Sequence, residues 1–163
     1  MSSENSFVRV SVSGMARDPR DNPVVLLKSD EGEDVLPIWI GHAEAMAIEL
    51  HLKGTQFERP LTHDLLRTLI ENLGASVVKV AITDLREGTF FAKIHLQRGD
   101  DILVIDARPS DSVALALKSN APIFVAREVF SAHKRALEPD PGTAPGADDE
   151  LRRYLKDLDP GDF

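Results

Sequence analysis

Residues 76–105 read S-V-V-K-V-A-I-T-D-L-R-E-G-T-F-F-A-K-I-H-L-Q-R-G-D-D-I-L-V-I. Three runs rich in β-branched and aromatic residues, Ser76–Thr83, Thr89–Gln97 and Ile102–Ile105, are separated by polar breaks at Asp84–Gly88 and Gly99-Asp100. Short connections of this kind join antiparallel neighbours, so the stretch predicts a three-strand meander. The segment before it reads as helix: Leu65, Leu66, Leu69, Ile70 and Leu73 form an apolar stripe after Pro60, with Gly74 as its C-cap. After it, Ser110–Lys118 reads as a third helix, Ile123–Val125 as a short strand and Arg127–Ala136 as helix.

The first forty residues add more strand. Val8, Val10 and Val12 alternate with polar residues, as in a half-buried strand. Pro23–Lys28 and Val35–Ile40 flank the polar turn Ser29–Asp34, a hairpin pattern. Gly41 breaks the run. Ala43–Leu52 then reads as a helix apolar on more than one face, hence well buried, and Gly54 ends it. Residues 1–137 are therefore expected to be one α+β domain: a mostly antiparallel or mixed β-sheet packed with three to four helices.

The composition changes near residue 138. Glu138–Gly146 reads E-P-D-P-G-T-A-P-G, which neither a helix nor a central strand accommodates, so residues 138–147 are expected to be a linker. Leu151, Tyr154, Leu155 and Leu158 have helical spacing, with Asp148 as cap and Pro160-Gly161 as stop. Residues 148–163 are expected to form a C-terminal helix and tail. A weak internal echo links Pro37–Ile40 with Pro122–Val125 and Arg59-Pro60 with Arg108-Pro109; chance or shared turn chemistry accounts for it as well as duplication does.

The 163 residues contain no cysteine, which excludes disulfides, thiol catalysis and Cys-ligated zinc. The net charge is −8, which argues against a broad electrostatic grip on nucleic acid. Residues 1–130 hold 14 basic and 19 acidic side chains, a balance of −5, so the tail does not mask a basic body. The polar start, without a basic-then-apolar signal pattern, and the lack of a 20-residue apolar span lead to an expectation of a cytoplasmic protein without membrane contact. P-loop, G-x-G-x-x-G, H-E-x-x-H and G-x-S-x-G patterns are absent from the sequence.

Two polar stretches stand at expected helix starts: Arg59-Pro60-Leu61-Thr62-His63-Asp64 and Asp106-Ala107-Arg108-Pro109-Ser110-Asp111. Helix N-termini present free N–H groups and suit a phosphate or carboxylate. Arg59 and Arg108 could grip a phosphate bidentately. His63, Asp64, Asp106 and Asp111 could serve as base or metal ligands, and Glu44, at the start of another helix, could join them. Equally, Thr62 and Ser110 are ordinary N-caps, and Asp64, Asp111 and Glu44 ordinary dipole partners. Trp39 and Phe124 are expected in the core, and one of Phe90 and Phe91 on the surface.

At these residues the chain resembles the bifunctional nuclease domain family of bacteria and plants. The matching pieces are Leu36-Pro37-Ile38-Trp39-Ile40-Gly41 with Glu44-Ala45, then Arg59–Leu65, Gly88-Thr89-Phe90-Phe91-Ala92 and Asp106–Asp111, in the family's order. Ser112 stands where the family usually has Ala, a small change on a helix. The resemblance implies a self-associating α+β domain and, as described for some members, cleavage of both DNA and RNA. It carries over Glu44, Arg59, Thr62, His63, Asp64, Asp106, Arg108, Ser110 and Asp111 as site residues.

The expected function is hydrolysis of phosphodiester bonds in DNA and RNA, assisted by a divalent cation, Mg²⁺ or Mn²⁺. His63, Asp64, Asp106 and Asp111 are the expected catalytic residues. Arg59, Arg108, Thr62 and Ser110 are expected to bind substrate, and Asp64, Asp106, Asp111 and Glu44 to hold the metal. The expected assembly is a homo-oligomer. The alternatives are a non-catalytic oligomeric module for an anionic ligand or protein partner, and an adaptor docking through its tail helix. The nuclease reading requires the two polar stretches to converge in space.

Overall fold

The runs that alternate or carry β-branched residues become strands, and the segments between become helices. The computed structural model describes residues 6–136. In chain order these are β1 (Phe7–Arg17), β2 (Pro23–Ser29), β3 (Asp34–Trp39), α1 (His42–Leu52), α2 (Thr62–Asn72), β4 (Ser76–Arg86), β5 (Thr89–Arg98), β6 (Asp101–Ala107), α3 (Pro109–Ser119), β7 (Ile123–Ala126), α4 (Arg127–His133) and β8 (Arg135–Ala136). The fold is α+β, as expected. The linker and tail helix expected over 138–163 lie outside the described residues.

All strands belong to one sheet, in the order β6-β5-β4-β7-β1-β2-β3-β8. Every neighbouring pair is antiparallel except β4 and β7, which makes the sheet mixed. The β4–β5–β6 meander forms as expected, and β1–β2–β3 forms a second one on the other side of β7. Glu87 and Gly88 both take positive φ at the β4–β5 turn, the geometry that matches the twist of paired strands.

In β5 alternation decides which face is inside. Phe90, Ala92, Ile94 and Leu96 of β5 are buried, together with Val80 and Ile82 of β4 and Val25 and Leu27 of β2. The helices cover this face. Central among them is α3, which packs on α1, α2, β4 and β5 and buries Val113, Ala114, Leu115 and Ala116.

β3 and β6 lie six strand positions apart, about 29 Å in a flat sheet at the usual strand spacing. Yet Arg108, one residue after β6, pairs with Glu44, five residues after β3. The sheet is therefore strongly curled. Register shifts within β1 and β4 supply local bends of the kind that bulges introduce.

Two expectations about the helices are corrected. α1 is not well buried: only Ala45 and Ile48 are, while Met46 and Leu52 are exposed, because its apolar residues are spread round the helix and only one side meets α3 and β2. On α2 the expected inward stripe faces out. Leu65, Leu66, Leu69 and Leu73 are exposed, and the buried residue is His63. Polar tethers set this rotation. His63, Asp64 and Arg67 all bond to α3, leaving Ile70 as the residue of the stripe that packs on the core.

The expected caps also differ. The N-cap of α2 is Leu61, with Thr62 as the first helical residue; the N-cap of α3 is Arg108, with Pro109 and Ser110 already inside. Pro109 suits the first turn because that turn has no use for its missing N–H. Arg127–Ala136 divides into the short α4 and β8 rather than continuing as one helix.

Candidate functional site

The first turns of α1, α2 and α3 meet, although their sequences are far apart. His63 Nε2 lies 3.0 Å from Asp111 Oδ1. The other oxygen of Asp111 accepts a bond from Arg108 Nε at 2.9 Å. Arg108 Nη2 donates to Glu44 Oε1. One chain of contacts, His63–Asp111–Arg108–Glu44, thus ties three helix starts together. The two polar stretches converge, through His63 of the first and Asp111 of the second.

Each member has a distinct environment. The His63 side chain is 9% exposed and that of Arg108 64% exposed, so the imidazole lies beneath and the guanidinium faces solvent. Glu44 folds back to accept its own backbone N–H; that bond, with the one from Arg108, holds its carboxyl below the usual carboxylate range. The same folding places Oε2 against the position a side chain at residue 41 would occupy, which explains Gly41. Its φ of −71° is open to any residue, so close approach is the constraint. Glu44 and then Asp111 raise the pKa of Arg108 and keep it cationic.

Of the other expected residues, Ser110 borders the cleft beside Arg108 and the rest lie elsewhere. Asp64 Oδ2 accepts the Leu61 N–H at 3.1 Å, closing the start of α2, and Oδ1 pairs with Lys118 at 3.2 Å. Burial opposes ionisation of Asp64, but the bonds from Lys118 and Leu61 outweigh it and lower its pKa. Arg59 stands with Asp64, Arg67 and Lys118 around a second cleft of about 560 Å³. Asp106 pairs with Lys93 at 3.5 Å on the strand face turned away from the helices. Thr62 is exposed, and Ser110 is buried in the first turn of α3. Ser112 is fully buried and donates to the Arg108 carbonyl at 2.9 Å, which steadies the backbone at the site.

The expected metal set does not assemble as one. Glu44 and Asp111 meet at Arg108, Asp64 is held by Lys118 and Asp106 by Lys93. Among the described residues no three His, Asp or Glu side chains gather to hold an ion.

Beside Arg108 opens a cleft of about 510 Å³, with Trp39, Ile40, Phe90 and Pro109 on its walls and Asn22 and Thr89 at its polar margins. Trp39, expected in the core, is half-buried here and donates its Nε1–H to Asp18 Oδ2 at 2.9 Å. Asp18 is buried and also accepts the side-chain amide and backbone N–H of Asn22 and the N–H of Arg20. Burial resists its charge, but these donors prevail and lower its pKa to about 2. Phe90 is buried, whereas Phe91 and Phe124 are half-buried beneath Arg86 and Lys79 respectively. Asp18, Asn22 and Lys118 went unrecognised in the sequence, where isolated polar residues near turns carry no signal of their partners.

Residues 25–138 match the family profile described as the bifunctional nuclease domain, and the chain belongs to that family. It is 44% identical over 152 residues to an uncharacterized protein of Mycobacterium tuberculosis, covering 89% of this chain and 90% of that one. It is also similar to bifunctional nuclease 1 of Oryza sativa, at 22% identity over 83% of this chain and 43% of the plant protein. Bifunctional nuclease 2 of Arabidopsis thaliana is 27% identical over 62% of this chain and 32% of its own length. Among the described residues no helix is long and apolar enough to cross a membrane.

Proposed function

We propose that the protein is a nuclease that hydrolyses phosphodiester bonds in DNA and RNA at the junction of α1, α2 and α3. The observation that carries this reading is the His63–Asp111–Arg108–Glu44 chain, which joins the two family motifs into one polar surface. The names of the plant relatives agree with it.

Hydrolysis requires a water to lose a proton as its oxygen attacks phosphorus, and a leaving alkoxide to gain one. The His63–Asp111 couple handles the proton. Arg108, exposed and fixed by two carboxylates, neutralises charge on the phosphoryl oxygens. Asp64 and Asp106 act in structure rather than in chemistry, since each has its own lysine partner. Mg²⁺, which is often bound by one or two carboxylates plus substrate phosphates, would draw on Glu44 and Asp111, whose oxygens bond Arg108 and His63 in this structure, and no step above depends on it.

Purified protein from a nuclease-deficient host, tested on single-stranded DNA and RNA with and without EDTA, decides the matter. Cleavage abolished by Arg108→Gln and by His63→Ala supports the reading. Cleavage that survives both substitutions marks a contaminant or another site.

One observation favours a second reading, a non-catalytic module for an anionic ligand. Glu44, Asp64, Asp106 and Asp111 are each paired with a cation, as in a structural network. Phosphate-dependent stabilisation without any cleavage would decide for it. In either reading a second copy of the chain covers the leucines of α2 and β6, the edge strand among the described residues, where Ile102, Val104 and Ile105 are exposed. The site of action proposed is the cytoplasm.

A further inference from the structure

We infer that the cleft beside Arg108 receives the base of the nucleotide whose phosphate lies on that arginine. The inference rests on the nuclease reading and adds a second recognition element to it.

The cleft's volume, about 510 Å³, falls within the range of small-molecule sites. Its walls are of two kinds. Trp39, Ile40, Phe90 and Pro109 provide an apolar, partly aromatic surface suited to a flat heterocycle, while Arg108, held by Glu44 and Asp111, stands at one end. An aromatic ring with a phosphate a few ångströms away has that same division, and base–aromatic contact is tolerant of sequence. Activity on both DNA and RNA asks for that tolerance.

The surface is also organised in advance. The indole of Trp39 is pinned through Nε1 to Asp18, which is itself held by Asn22 and Arg20. Asn22 gives its side-chain N–H to an acceptor-only carboxylate, which orients its amide and leaves Oδ1 as the acceptor. Gly88, in the turn that brings Thr89 and Phe90 to the cleft, takes φ +76°, a conformation that costs glycine little. Binding therefore has little side-chain ordering to offset.

This base site would compensate for the acidic charge of the chain. With few phosphate contacts, affinity from counterion release is small, and burial of an aromatic ring supplies binding that salt does not screen.

Trp39 is the sole tryptophan, so its fluorescence reports directly on the cleft. The test titrates the full-length protein with adenosine 5′-monophosphate and, separately, with ribose 5-phosphate. The expected result is saturable quenching by the nucleotide, with ribose 5-phosphate at least tenfold weaker. Thr89→Phe, at an exposed position on the cleft, fills the space without disturbing the core. It should weaken nucleotide binding and raise KM for an oligonucleotide about tenfold while kcat changes little. Circular dichroism confirms that the variant is folded. Equal binding of the two ligands, or an unchanged KM in folded Thr89→Phe, overturns the inference even if cleavage is robust. Base-dependent quenching in a protein that never cleaves leaves the base site standing and overturns the nuclease reading instead.

Discussion

His63 Nε2 and Asp111 Oδ1 lie 3.0 Å apart across 48 residues of chain, one in the first turn of α2 and the other in the first turn of α3. The contact is largely shielded, with side-chain exposures of 9% and 32%, and it sets the rotation of α2. Removing either partner leaves the other's polar group poorly satisfied. His63→Ala and Asp111→Asn should each reduce cleavage by roughly 10²-fold or more, the scale of proton-transfer assistance. Asp106→Ala should remain within about threefold of wild type, since among the described residues its ion pair is with Lys93 on the opposite face. Initial rates on a fluorogenic oligonucleotide check this; a dead Asp106→Ala would relocate the site.

Gly41→Ala should act through Glu44. The new methyl group would occupy the space held by the Glu44 carboxylate, whose flexible end can swing away. The swing would detach it from Arg108. Activity should fall about tenfold or more while the melting temperature changes by only a few degrees. A double variant with Glu44→Gln should show no further loss. Additive losses would mean that Gly41 matters for another reason.

Asp18 ties Trp39 and Asn22 to the β1–β2 connection, and its folded pKa of about 2 lies below the ordinary 3.8. A depressed carboxyl stabilises the fold above the unfolded pKa and loses that contribution as pH falls through the folded value. Asp18→Asn should therefore lower the melting temperature near neutral pH, on the order of 5 °C for lost charge-assisted bonds. The gap between variant and wild type should narrow as pH falls from 4 towards 2. A gap constant across that range would show that the charge contributes nothing.

The exposed leucines of α2 bear on assembly. Leu69 is 51% and Leu73 76% exposed, and among the described residues β6 pairs with β5 on one side only. If a second copy covers these surfaces, Leu69→Glu and Val104→Lys should each shift sedimentation towards monomer without loss of secondary structure. A wild-type chain that sediments as a monomer at high concentration would count against self-association.

The strands and the two polar stretches were legible in the sequence because their signals are local. Alternation in β1 and β5, the turn at Glu87-Gly88 and the proline at the first position of α3 depend on neighbours a few residues away. The family resemblance likewise rested on short contiguous motifs, and the profile match over residues 25–138 bears it out.

Tertiary structure alone decided the rest. An apolar stripe states that α2 has a greasy face, but not which way that face turns; bonds from His63, Asp64 and Arg67 to α3 turned it outwards. Nine polar candidates carried no sign of their partners in sequence. Curling of the sheet brought Glu44, His63, Arg108 and Asp111 together and left Asp64 and Asp106 to lysines. Nor could Trp39, which packs against the core, be placed at the wall of a cleft until Asp18, 21 residues away, fixed its indole. Periodicity records which residues can be buried; the partner across space is set only when curvature and helix rotation are both fixed.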